Sequence, residues 1–299
     1  FFFFLIVNHT KMSRAIVTLF REPTTETGQL VVACPTTKKC AIIDPVLDFD
    51  MGKNKVETTS ADALINFCKE QEYTIEWAMD THIHADHISA TYYIQQKTGC
   101  KTAIGAKVAP VQKHFCEFFG FPASFIEGKF WDHHWHDGDS FTVGDLTVNV
   151  IHTPGHTPAD LSYYIPDDCL FTGDSIFMPD MGTARCDFPG GDVEQLWESM
   201  QKILALPKHV RVFVGHDYCP NGREYSIETT VADQLASNKH VKEGTSKEEF
   251  TTFRKERDAQ LGLPRLLFPS MQFNIRGGRP PKVDGQENLL IRYPLTCDL

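Results

Sequence analysis

The sequence predicts an α/β protein in which two β-sheets stack face to face with helices outside. Short β-branched runs separated by turn residues recur along the chain, and each half passes from strands to helices. Neighbouring strands are mostly joined by hairpin-length turns, which puts sheet on sheet. Apolar residues make up 41% and charged residues 23% of the 299, a globular balance, and 22 Phe promise a thick aromatic core. With no internal repeat or low-complexity linker, residues 12–299 read as one domain carrying a helical appendage from about 224 to 299. Residues 1–11 read as an uninformative extension, and Asn8-His9-Thr10 as a chance sequon. Because the first residue is Phe, the natural start is expected upstream or at Met12.

In order, strands are expected over Ala15–Phe20, Leu30–Ala33 and Ala41–Ile43. Ser60 is read as the N-cap of a helix through Glu70, because Ala63, Leu64, Phe67 and Cys68 fall at helical spacing. Strand Thr74–Thr81 runs into a histidine cluster, with a helix expected from His87 to Thr98. Strand Thr102–Ile104 and a helix around Val108–Phe119 follow. Ser140–Val143 and Leu146–His152 flank Gly144-Asp145, a two-residue hairpin turn, and Leu161–Ile165 with Cys169–Thr172 makes another hairpin. A helix over Val193–Ala205 takes Asp192 as N-cap, with Gln195 three residues later. After strand Val210–Val214, helices are expected over Glu224–Ser237 and, behind the capping box of Ser246 and Glu249, over Lys247–Gln260. The Pro- and Gly-rich tail is expected to be irregular.

Charge and cysteine usage narrow the function. With 29 basic and 39 acidic residues the formal charge is −10, which argues against nucleic acid as a partner. The longest apolar run, Phe1–Val7, is far short of the ~20 residues of a spanning helix, and no basic stretch precedes it as in a signal peptide. Nine scattered Cys with no CxxC pair suit buried thiols in a reducing compartment, cytoplasm or mitochondrion. Cys186 is read as one of these buried thiols.

The chemistry lies in the histidines. In Thr81-His82-Ile83-His84-Ala85-Asp86-His87, side-chain alternation points His82 and His84 to one side, and a turn returns Asp86 and His87 to the same place. Thr153-Pro154-Gly155-His156 fixes one His on a rigid loop, Thr172-Gly173-Asp174 ends a strand in a carboxylate, and Gly215-His216-Asp217 repeats the device. Four strand ends each delivering His or Asp to one rim predict a metal centre. By contrast, the His-rich Asp132–Asp139 is expected to be a solvated strand edge, and His114, His209 and His240 surface residues.

This order, H-x-H-x-D-H, then T-P-G-H-T, T-G-D and G-H-D, resembles the metallo-β-lactamase superfamily over roughly Val31 to His216. The resemblance implies an αβ/βα four-layer sandwich of two mixed sheets with metals on one edge. It implies one site of His82, His84, His156 and Asp174, and a second of Asp86, His87 and His216 with Asp174 bridging. Within the superfamily the chain most resembles the persulfide dioxygenases, relatives of glyoxalase II. The residues that carry this are Ala41–Val46, the T-H-x-H-A-D-H form of the first motif, Met178–Arg185, Arg185-Cys186-Asp187-Phe188, His216-Asp217-Tyr218 and Pro269–Gly278. Ile88-Ser89-Ala90 stands where glyoxalase II has glycines.

The dioxygenase resemblance implies one Fe(II) on His82, His156 and Asp174, the catalytic set, with His84, Asp86, His87 and His216 orienting it from outside. The substrates would be a small thiol persulfide, such as glutathione persulfide, and O₂, with sulfite as product. The alternative is two Zn(II) on the full set, hydrolysing a thioester or lactone. Arg185 is the first choice for gripping a substrate carboxylate, against a bland pairing with Asp187; Tyr218, Arg223 and Arg276 follow. A homodimer is possible, and no membrane partner is expected.

Overall fold

The computed structural model describes residues 14–283, 285 and 288–295; the extension 1–11, Met12 and Cys297 lie outside the described residues. The first half lays down β1 (Ile16–Glu22), β2 (Thr27–Ala33), β3 (Lys39–Ile43), β4 (Val46–Asp50), β5 (Lys55–Glu57), α1 (Thr59–Glu70), β6 (Thr74–Met79), β7 (Ile88–Ser89), α2 (Thr91–Thr98), β8 (Lys101–Gly105), α3 (Ala109–Phe118) and β9 (His133–Trp135). The second half lays down β10 (Ser140–Val143), β11 (Leu146–His152), β12 (Leu161–Ile165), β13 (Cys169–Phe171), α4 (Val193–Leu204), β14 (Arg211–Phe213), β15 (Glu228–Thr230), α5 (Val231–Ser237), α6 (Lys247–Asp258) and α7 (Leu267–Asn274).

Two six-stranded sheets result, ordered β1-β2-β3-β6-β8-β9 and β10-β11-β12-β13-β14-β15, beside a small sheet β5-β4-β7. Both large sheets are mixed. β3, β6, β8 and β9 run parallel in the first, and in the second only β13 and β14 do. The main core lies between them, where Tyr163, Phe171, Leu170, Val212 and Met79 are almost wholly buried. A second core packs α1 and α2 behind the first sheet through Leu64, Cys68 and Ile94. Apolar residues at helical spacing thus cover the outer face of each sheet, and the four-layer sandwich read from the sequence is the fold observed.

Several local expectations are corrected. Thr58, not Ser60, sits at the α1 N-cap; Ser60 is inside the first turn, with its backbone N–H and hydroxyl bound to Asp48. No helix starts at His87. Ile88 and Ser89 pair with Leu47 and Val46, so α2 begins only at Thr91. Glu224–Ser237 is not one helix, since Glu228–Thr230 pairs with β14 and the Thr230 side chain then caps α5. The tail holds the helix α7, whose Asn274 side chain donates to the carbonyls of His84 and His87 and accepts from Ser89 N–H.

All eight described cysteines are free thiols, and seven, including Cys186, are buried. No described helix is long and apolar enough to cross a membrane.

Candidate metal centre

The centre forms where strand ends of both sheets meet. β6 delivers His82 and His84, β11 leads into the Thr153–Thr157 loop with His156, and β13 and β14 deliver Asp174 and His216. Because β13 and β14 are parallel neighbours, their following residues emerge side by side, and Gly215 N–H donates to the Gly173 carbonyl at 2.9 Å. Gly28 N–H reaches the Gly215 carbonyl at 2.8 Å, tying the start of β2 to the same edge. A Cβ on Gly215 would stand 2.3 Å from Asp174 Oδ1, so only glycine lets the strand pass this close to the carboxylate.

His82 Nε2 and His156 Nε2 lie 4.0 and 3.9 Å from Asp174 Oδ2. Two ligands on one ion through ~2.1 Å bonds stand no more than about 4.2 Å apart, so the three donors suit a shared ion. His156 Nδ1 meets the Arg185 carbonyl at 2.8 Å, which fixes the ring and leaves Nε2 for the metal. On the other side, His216 Nε2 is 3.4 Å from Asp174 Oδ1 and 3.2 Å from Asp86 Oδ2, and His87 Nδ1 is 3.1 Å from the same Asp86 oxygen. His84 gives its Nε2 to Asp44 at 3.0 Å, so Nδ1 is its free face.

The buried atoms fit a cation. His82 Nε2, His84 Nδ1, His87 Nε2 and Asp174 Oδ1 are buried without a hydrogen-bond partner, a costly state for polar atoms unless something binds them. Burial opposes charge on His84 and His216. The Asp44 carboxylate beside His84, and Asp174 and Asp86 beside His216, outweigh it and lift the imidazoles to about 9 and about 10. Burial, with His84 and His156 close by, pushes His82 well down. Buried carboxylates thus demand positive charge, while His82 stays neutral and able to ligate. Every group of possible ligands that converges within 4.8 Å among the described residues belongs to this region.

A cavity of about 410 Å³ opens onto His156, Asp174 and Asp86, with Arg185 and Tyr218 on its walls. Tyr218 stacks parallel on His216, ring centroids 5.7 Å apart. The other expected substrate contacts are placed differently. Arg185 forks onto Asp187 with two 2.5 Å bonds and donates to the Gly262 carbonyl at 2.7 Å, so the bland pairing occupies its guanidinium. Arg223 is committed to Asp180 and Asp217. Arg276 lies over Phe125 and Phe130 and donates to the Pro280 carbonyl. Neither Arg223 nor Arg276 lines the cavity.

His133 and His134 are exposed on the edge strand β9, while His240 is buried at 8% exposure on the cavity wall, not at the surface. Sequence reasoning missed Asp44, Asp80 and Asn274 behind the ligands, and Lys239, Arg257 and Phe253 on the cavity. Asp44 lies in Ile43-Asp44-Pro45, a run noted without a role; the cavity residues carry no local signal.

A family model of the metallo-beta-lactamase superfamily matches residues 29–216, from within β2 to His216. The chain belongs to the metallo-beta-lactamase superfamily. Among its relatives, Glyoxylase B2 of Dictyostelium discoideum is 48% identical over 95% of this chain and 98% of its own length. A beta-lactamase hydrolase-like protein of Xylella fastidiosa (strain 9a5c) is 45% identical over 93% of this chain, which spans 64% of that relative. The crystal structure of ETHE1 from Myxococcus xanthus superposes with a TM-score of 0.71 at 26% identity, covering 88% of this chain and all of that one. This superfamily member is therefore read as a metal-dependent enzyme.

Proposed function

We propose that the protein is an iron(II)-dependent persulfide dioxygenase acting on glutathione persulfide or a similar thiol persulfide. The observation that carries the reading is the convergence of His82, His156 and Asp174 on one point. Two histidines and one carboxylate are the donor set of non-haem Fe(II) oxygenases. Iron(II) held there would supply redox activity and open positions for a persulfide and O₂, and the four electrons that reduce O₂ come from the persulfide's outer sulfur: RSSH + O₂ + H₂O → RSH + sulfite + 2 H⁺. The chain's own residues orient and enclose the site. The Arg185 carbonyl fixes His156, Asp44 binds His84, and Asp86 links His87 to His216. The resemblance of the Ala41–Val46 and Arg185–Phe188 segments to persulfide dioxygenases supports the same reading, as does the likeness to ETHE1.

A second reading, a dinuclear zinc hydrolase, is favoured by the partnerless His84 Nδ1 and His87 Nε2 beside Asp86. Metal counting separates them. With one iron on His82, His156 and Asp174, His216→Ala keeps its metal and loses activity by ~10–100-fold, as for other groups that orient ligands from outside. Loss of one of two metals per chain in that variant would instead select the hydrolase.

A further inference from the structure

The turn that carries His84, Asp86 and His87 makes no backbone–backbone hydrogen bond from His82 through His87 among the described residues. Side chains must hold it, because buried carbonyls without donors are costly. One holder comes from α7, which lies beyond residues 29–216 matched by the family model. Asn274, 3% exposed, commits its whole amide to this turn. Its Nδ2 donates to the His84 carbonyl at 2.8 Å and to the His87 carbonyl at 2.7 Å, and its oxygen accepts from Ser89 N–H at 2.8 Å. An amide offers two donors and an acceptor on one rigid plane, and two carbonyls on one side with an N–H on the other use all three. Asp in its place would keep the shape and turn a carboxylate oxygen toward two carbonyls.

The ending of α7 presses it against the same turn. Gly277 N–H returns to the Asn274 carbonyl and Gly278 N–H to the Phe273 carbonyl. This paired closure needs a left-handed residue, which Gly277 supplies at φ +63°. Gly278, at φ +78°, then passes so close to β7 that a Cβ there would stand 2.4 Å from the Ser89 carbonyl oxygen. Thr91 Oγ1 donates to the Gly277 carbonyl at 3.3 Å, and Ser89 Oγ donates to Asp80, which lies 3.7 Å from His84 Nε2.

We infer that Asn274 is a positioning residue of the metal centre: from the C-terminal appendage it sets the turn that aims His84, Asp86 and His87. A centre whose ligand candidates all precede residue 217 is thus completed by a helix fifty residues later in the chain. The role is the same whether those three groups bind metal or orient other ligands. The inference therefore rests on the reading above only for the presence of a metal.

The test is titration of the metal-free protein with Co(II), whose visible absorption reports its coordination geometry, in competition with a chelator. Asn274→Ala and Asn274→Asp are expected to weaken Co(II) binding roughly 10–100-fold, as loss of groups behind ligands does, and to change the spectrum. Phe273→Leu, on the same helix, trims a core cluster but removes no hydrogen bond to the turn. It should lower the melting temperature and keep the wild-type affinity and spectrum. Wild-type affinity and spectrum in Asn274→Ala would overturn the assignment. Equal changes in Phe273→Leu would overturn it too, by making α7 a scaffold that any loss of packing loosens. Should the Asn274 variants fail to fold, Gly278→Ala, which pushes on the Ser89 carbonyl with Asn274 in place, carries the same expectation and the same refutation. Weaker Co(II) binding in a protein inert toward persulfide would uphold Asn274 and overturn only the dioxygenase reading.

Discussion

Gly215→Ala isolates the geometry of the metal centre. The added methyl would lie 2.3 Å from Asp174 Oδ1, 3.0 Å from the Gly173 carbonyl carbon and 3.1 Å from its oxygen. Gly215 is not among the positive-φ residues, so alanine costs nothing in backbone conformation and the effect is steric. A carbon–oxygen contact relaxes to roughly 3.2 Å or more, so the carboxylate or the strand shifts by about 1 Å, against the ~0.2 Å that metal–ligand distances tolerate. Crowding of this kind costs ~1–3 kcal/mol, or, in a chain of 299 residues, a fall in Tm of roughly 2–5 °C. Metal affinity should fall further, by at least the ~10–100-fold seen when supporting groups are lost. Competition against a chelator measures affinity, and calorimetric melting of the metal-free protein measures stability. Wild-type metal affinity in this variant would refute Asp174 as a ligand held by the β13–β14 pairing.

Two further outcomes bear on the scaffold. Ser246→Ala removes the side chain that caps α6 and meets Glu249; a loss of ~1 kcal/mol is expected by urea unfolding, and none would mean α6 is fixed by packing alone. His240 stays neutral in the folded protein down to about pH 3, whereas in the unfolded chain it takes up a proton below about 6.5. Between those values the unfolded state binds more protons, so stability falls as pH falls, with His240 adding up to about 1.4 kcal/mol per pH unit. His240→Asn should therefore show a shallower loss between pH 6.5 and 4, and identical slopes would contradict its buried neutral state.

Where local signals decided structure, the sequence was readable. The Gly144-Asp145 turn set the β10–β11 hairpin at its observed bounds, and Ser246 with Glu249 set the start of α6. The convergence of the candidate ligands was legible because strand ends deliver them with fixed direction, which spacing encodes. What escaped was tertiary. Ile88–Ser89 is a strand only because Val46–Leu47, some forty residues earlier, pairs with it. α7 is buried from Pro269 through Asn274, so it lacks the polar face that gives a helix its period in sequence. His240, flanked by Lys239, reads as surface until Gly182 and Thr183 fold against it. The filling of Arg185 by Asp187 was one of two local options, and only the side-chain positions decide between them.

Oxygen consumption tests the central claim most directly. Protein purified anaerobically and loaded with one iron per chain is placed in an oxygen electrode with glutathione persulfide. Uptake of one O₂ per sulfite formed is expected, and Asp174→Ala, which lacks the carboxylate shared by both possible sites, should show none. No uptake by the iron form, with rapid cleavage of S-lactoylglutathione by the zinc form, would contradict the dioxygenase reading and make this chain a hydrolase.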